Sequence, residues 1–238
     1  MFGILRQVNR MNVVESKKVC VDHHNRVFFL RVAPIDLKQT LKDIFQELSD
    51  LSWISKFDKE YVKTSFQERA ESTLDDIKLK LLASNTDDIS SDAGEYVVSE
   101  LAREAIVEEL NYLDIPLAEL YNKKKSGNPG FDFHSQTPDD VIIFGEAKYL
   151  DDRNAYGVGL GQIVRFISEK KDIKDLIDLK DFCSEQALLG ASQGTKGFAI
   201  AFSAKETATD ILIKNIINNK NFKQLLSYEE IIVVAVNI

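Results

Sequence analysis

Val141-Ile142-Ile143-Phe144-Gly145-Glu146-Ala147-Lys148-Tyr149 decides how this chain is read. Its first five residues include no polar side chain, which predicts a strand covered on both faces. Two charges then appear at its end. Side chains alternate along a strand, so Glu146 and Lys148 share a face. Upstream, Phe131-Asp132-Phe133-His134 alternates apolar and polar and predicts a short strand. It follows the turn-rich break Lys123-Lys124-Lys125-Ser126-Gly127-Asn128-Pro129-Gly130. If the two strands pair, Asp132 comes opposite that face, and two carboxylates and an ammonium converge at one end of an apolar sheet.

The elements around this pair alternate in type. The spacing predicts a helix from Gly94 to about Leu113, with Val97, Val98, Leu101, Ile106, Val107 and Leu110 on its apolar side. Beyond the central strand come a helix from Gly157 to about Leu179, an interior strand Gly197–Ser203, a helix Thr207–Asn218 and a last buried strand Ile231–Val236. Nearer the start, Lys18–Asp22 and Arg26–Val32 flank His23-His24-Asn25 as a hairpin would. Helices follow from Pro34-Ile35-Asp36 to about Leu51 and from about Lys59 to Leu82. The polar stretch Ser84–Asp92 marks a soft boundary. It divides residues 1–90, a hairpin plus helices that could dock a partner or equally complete the core, from a core at 91–238. The class is α/β, a mixed central sheet flanked by helices.

Composition narrows the setting. With 238 residues, 44% hydrophobic and 29% charged, the chain has the make-up of an ordinary globular protein. No apolar run approaches the ~20 residues that cross a bilayer, and the first residues lack the apolar stretch of a signal peptide. Cys20 and Cys183 are too few and too far apart for a disulfide framework. A cytoplasmic protein without membrane contact is expected. The formal charge of −8 is unevenly placed: residues 1–90 carry 14 Lys+Arg and 14 Asp+Glu, residues 91–238 carry 16 and 24. Free-standing nucleic-acid binders are usually basic, so a nucleic-acid role here needs a partner that delivers the substrate.

A lone Glu-x-Lys on a strand is most often a solvent-facing ion pair. At the end of an interior strand the same charges need partners or a metal. A hard divalent cation, Mg2+ or Mn2+, takes oxygen ligands. Asp132, Glu146 and the Ala147 carbonyl could supply three, with Lys148 orienting water or offsetting charge that develops on a phosphate. Other features weigh less. Gly157-Val158-Gly159-Leu160-Gly161 could cradle a phosphate or simply start a helix. Lys123, Lys124 and Lys125 fit a solvated loop as well as a nucleic-acid contact. His23 and His24 lack zinc-ligand spacing, His134 fits packing or support of Asp132, and Cys183 fits the core. No Gly-x-Ser-x-Gly is present.

A helix, a strand with Asp132, a strand with Glu146-Ala147-Lys148, then a helix and a strand resemble the PD-(D/E)xK nuclease superfamily over about Gly94 to Ser203. The resemblance implies a restriction-endonuclease-like core and metal-dependent hydrolysis of nucleic acid. It also implies a further acid on the preceding helix, matched by Glu95 with Glu100 as runner-up, and a polar residue on the next helix, matched by Gln162. Glu95 would then join Asp132, Glu146 and Ala147 around the metal. The family's proline before the aspartate is replaced by Phe131. More narrowly, Gly94-Glu95, Gly130–His134 and Gly145–Tyr149 look similar to the nuclease subunit of Hachiman-type antiphage defence, HamA. That likeness implies a helicase subunit, HamB, as partner; the expected substrate is nucleic acid, DNA before RNA. The competing expectation is a non-catalytic interaction module on a nuclease-like fold.

Overall fold

The expected hairpin forms from β1 (Met11–Val21) and β2 (His24–Pro34), paired antiparallel. The computed structural model describes residues 10–22, 24–83, 91–121 and 130–238. Asp36 starts α1 (Leu37–Leu48) by accepting the Gln39 N–H at 2.8 Å, which satisfies one of the orphan donors of a helix N-terminus. A 3-10 turn (Leu51–Lys56) leads into α2 (Glu60–Ala83), and α3 spans Ser91–Leu110. After the single turn α4 (Ala118–Tyr121) come β3 (Phe133–Gln136), β4 (Ile142–Lys148), α5 (Tyr156–Ser168), α6 (Lys171–Leu179) and α7 (Glu185–Gln193). The chain finishes with β5 (Lys196–Ala204), α8 (Thr209–Ile217), α9 (Lys220–Leu225) and β6 (Glu230–Asn237).

The six strands form one sheet in the order β1-β2-β6-β5-β4-β3. Its four inner strands run parallel and each outer strand is antiparallel to its neighbour. The α/β class with a mixed, helix-flanked sheet is therefore what the chain adopts. Val27–Val32 on β2 pair with Ile231–Val236 on β6, so the N-terminal hairpin and the later strands share one sheet and one interior. Alternation sends Phe144, Phe198, Ile200 and Val233 to one face, under α5, α7, α8 and α9. Ile143, Ala147, Ala199 and Val234 go to the other, under α1 and α3. Both faces are covered, as the apolar runs of β4, β5 and β6 require.

Several expectations need adjusting, among them the first strand, which spans Met11–Val21 rather than Lys18–Asp22. The first β strand of the central pair begins at Phe133, one residue after Asp132. The helix expected over 157–179 is two helices, because Lys170 adopts a left-handed conformation (φ 58°) between α5 and α6. α3 begins and ends about three residues earlier than the spacing suggests. Finally, α7 was not anticipated, although Ser184 caps it through the Ala187 N–H and Gly194 ends it at φ 107°. His23, Lys123, Lys124, Lys125 and most of the soft boundary at 84–92 lie outside the described residues. Among the described residues no helix is long and apolar enough to cross a membrane.

Candidate active site

The site assembles at the C-terminal end of β4. Phe133 pairs with Gly145, and the Asp132 N–H continues the ladder to the Gly145 carbonyl at 2.9 Å. One more step of that register puts Asp132 opposite Glu146, on the same side of the sheet. The Asp132 Oδ2 accepts the Ala147 N–H at 2.8 Å. Thus the Ala147 backbone contributes a donor to Asp132.

Glu146 and Lys148 point to the α5 side, where Gly159 makes room for them. A Cβ at Gly159 would lie 2.1 Å from Ile200 Cδ1 and 3.3 Å from Lys148 Cγ. Of the α5 glycines only Gly159 packs on the sheet; Cβ atoms at Gly157 and Gly161 would face Asn219 and Asn221 instead. Lys148 is the last residue of its strand, so its ammonium reaches past the strand end to α3. Its Nζ lies 3.0 Å from Glu95 Oε1 and 3.0 Å from Glu146 Oε1. Glu95 can come this close because Gly94 lies flat on the Tyr149 ring, where a Cβ would meet Tyr149 Cγ at 2.3 Å.

Burial sets the electrostatics. Glu146 is 0% exposed. Its Oε2 has no donor, and its Oε1 touches the ammonium as an ion pair without hydrogen-bond geometry. Desolvation, then the neighbouring Asp132, push its carboxyl well above the usual range, with Lys148 only partly opposing. Asp132 is pushed up to about 7 by burial, against Lys148 and the Ala147 N–H. Burial works against the Lys148 charge, but Glu146, Asp132 and Glu95 together raise its pKa. Three acids thus share one cation, two of them buried and Glu95 partly exposed.

The structure brings together Asp132, Glu146, Lys148 and Glu95. Gln162 lies on α5 one turn after Gly159, half-buried, and takes no part in the ion pairs around Lys148. Glu100, the runner-up helix acid, is elsewhere: it is buried between Arg10 and Arg103. Among the described residues no three His, Cys, Asp or Glu side chains gather into a cluster able to hold a metal. Glu95 turns its carboxylate to Lys148 instead. The buried, donorless Oε2 of Glu146 beside Asp132 still fits a hard cation. Mg2+ is commonly held by one or two carboxylates and completes its shell with water and phosphate oxygens.

Two buried contacts in this region had no sequence signal. The Tyr121 hydroxyl meets His134 Nδ1 at 2.7 Å, and Asp175 accepts the Phe131 N–H at 3.3 Å. Cys183 packs half-buried, its thiol pushed up to about 12 by burial. No protein-family model, curated protein or solved structure matches this chain.

Proposed function

We propose that the chain hydrolyses phosphodiester bonds of nucleic acid, DNA first, with Mg2+ or Mn2+, as the nuclease subunit of a cytoplasmic antiphage complex of Hachiman type that includes a helicase. One observation carries the catalytic part: a fully buried Glu146 with an unsatisfied oxygen sits opposite Asp132 and beside Lys148 at a strand end. The defence setting rests on the likeness of Gly94-Glu95, Gly130–His134 and Gly145–Tyr149 to that family.

Asp132 and Glu146 would hold the cation. Bound there, it would polarise the phosphodiester and make water more acidic. Lys148 would donate to a phosphate oxygen where negative charge develops in the transition state. Glu95 holds that ammonium from the other side and fixes its direction. In this reading Gln162 on α5 would orient a water or a phosphate oxygen. The acid surplus of residues 91–238 repels a phosphate backbone, whose binding depends on its neutralisation by Lys and Arg. The isolated chain should therefore bind DNA weakly and act on strands a partner delivers.

The test is divalent-dependent cleavage of plasmid DNA by the chain alone and with its helicase, comparing wild type with Glu146→Ala and Lys148→Ala. Cleavage that is lost in both variants supports the reading. Nanomolar DNA affinity of the isolated chain, typical of specific DNA-binding proteins, would remove the argument for delivery. A second reading, a non-catalytic interaction module, is favoured by the engagement of Lys148 with two of the three acids. Complete absence of cleavage with the partner present would select it.

A further inference from the structure

α6 turns two acids into the interior, and only one of them meets a cation. Asp172 pairs with the buried Lys196 of β5. Asp175, one turn later, is 8% exposed, and among the described residues no Lys or Arg reaches it. Its Oδ2 accepts the Phe131 N–H at 3.3 Å and stands 3.7 Å from His134 Nε2. On the far side of the same imidazole, the Tyr121 hydroxyl lies 2.7 Å from Nδ1. Burial, followed by the charge of Asp175, keeps the Tyr121 phenol protonated. The imidazole thus stands between the Tyr121 hydroxyl, which meets its Nδ1 at hydrogen-bond distance, and Asp175, which its Nε2 faces without a hydrogen bond.

A buried carboxylate without a cation costs the fold stability. What it holds here is the backbone N–H immediately before Asp132. The strand ladder leaves the Phe131 N–H unpaired, because pairing begins with the Asp132 N–H on the Gly145 carbonyl. Without Asp175 that buried donor would have no acceptor, and the approach to Asp132 would be anchored on one side only.

We propose that Asp175 is a positioning residue: through the Phe131 N–H it fixes the backbone that aims the Asp132 carboxylate at Glu146. The inference rests on Asp132 being one of the cation-holding carboxylates proposed above. Outer groups that orient a metal ligand typically change metal affinity about 10–100-fold when removed.

The experiment compares wild type, Asp175→Asn, Asp175→Leu and Asp132→Asn by two measurements. These are Mn2+ affinity from electron paramagnetic resonance and amide hydrogen exchange across residues 131–134. Asn keeps an oxygen for the Phe131 N–H. Leu fills similar space without an acceptor, and Asp175→Ala replaces it if leucine does not fold. The expected result is a loss of about 10–100-fold in Mn2+ affinity for Asp175→Leu, with faster exchange at Phe131 and Asp132. Asp175→Asn should recover most of both. Wild-type Mn2+ affinity and exchange in Asp175→Leu, with Mn2+ binding lost in Asp132→Asn, would overturn the positioning role and leave the nuclease reading standing. Equal Mn2+ affinity in wild type and Asp132→Asn would instead overturn the nuclease reading, while the exchange rates still decide whether Asp175 anchors Phe131.

Discussion

Glu100 and Glu146 are both fully buried, yet their carboxyls are displaced in opposite directions. Burial opposes the charge of Glu100, but Arg103 and Arg10 overcome it and hold the carboxyl below its usual range. Arg103 donates to Glu100 Oε2 at 3.0 Å and to Oε1 at 2.5 Å. Around this pair Arg10 also meets Glu47 and Glu104, and Arg103 meets Asp114 and Glu47. Glu146 has one ammonium, misdirected for a hydrogen bond, and its burial wins. Burial alone therefore does not mark a site. The number and aim of donors separate a charge network that ties α1, α3 and the segment before β1 together from one left open for a ligand.

Removing the cation from each cluster should give the largest contrast. Arg103→Met leaves a buried Glu100 with few donors, and stability should fall by about 3–5 kcal/mol. Lys148→Met should reduce it by less than about 1 kcal/mol, because Glu146 is already driven toward its neutral form and needs no cation when protonated. Urea unfolding of the two variants side by side decides the point. Similar losses would mean that the site cluster is a structural network too.

Glu146→Gln sharpens the same contrast from the acid side. A neutral isostere in that corner should leave stability unchanged or raise it by about 1–2 kcal/mol, while abolishing cleavage. A strongly destabilised Gln variant would place Glu146 with Glu100.

Much of this geometry was legible in the chain. The apolar runs identified β4, β5 and β6, Asp36 identified the start of α1, and the period of two placed Glu146 and Lys148 together. What spacing could not resolve was the choice between Glu95 and Glu100. Five residues on a helix place them on different sides, and only the contact of Gly94 with Tyr149 shows which side meets β4. The break at Lys170 was equally invisible, since no Gly or Pro announces it, and with it the inward turn of Asp175. α7 carried its signals, Ser184 and Gly194, but its short and weakly amphipathic span obscured them.

The arginine network has four carboxylates for two guanidiniums, and the surplus appears at Glu104. Its 2.7 Å contact with Arg10 helps to raise the arginine's pKa. Even so, burial and the neighbouring acids push Glu104 up to about 7. A carboxyl raised in the folded state binds more protons there than when unfolded. Its contribution is thus fully present below its usual range near 4.5 and is lost as pH rises through about 7. Wild-type stability relative to Glu104→Gln should decline between about pH 5 and pH 8, by an amount on the order of 1–2 kcal/mol. A flat difference across that window would show that Arg10 keeps Glu104 ionised throughout.

The smallest effect on stability belongs to Glu95, on the same helix as Glu100. Its side chain is 38% exposed against 1% for Glu100. A partly exposed ion pair with Lys148 exchanges water for an ammonium at little net gain. Glu95→Gln should change unfolding free energy by no more than about 0.5 kcal/mol, whereas Glu100→Gln removes the buried charge that Arg10 and Arg103 share and should cost several times as much. Cleavage should respond in the reverse order. Without Glu95 the Lys148 ammonium has only Glu146 to lean on and loses its direction toward the phosphate, and misplacement of about 1 Å can lower a rate by about 100-fold. Parallel unfolding and cleavage measurements on the two Gln variants test this. Equal destabilisation by both would make the Lys148–Glu95 contact a second structural tie, and α3 would then serve the fold alone at both ends.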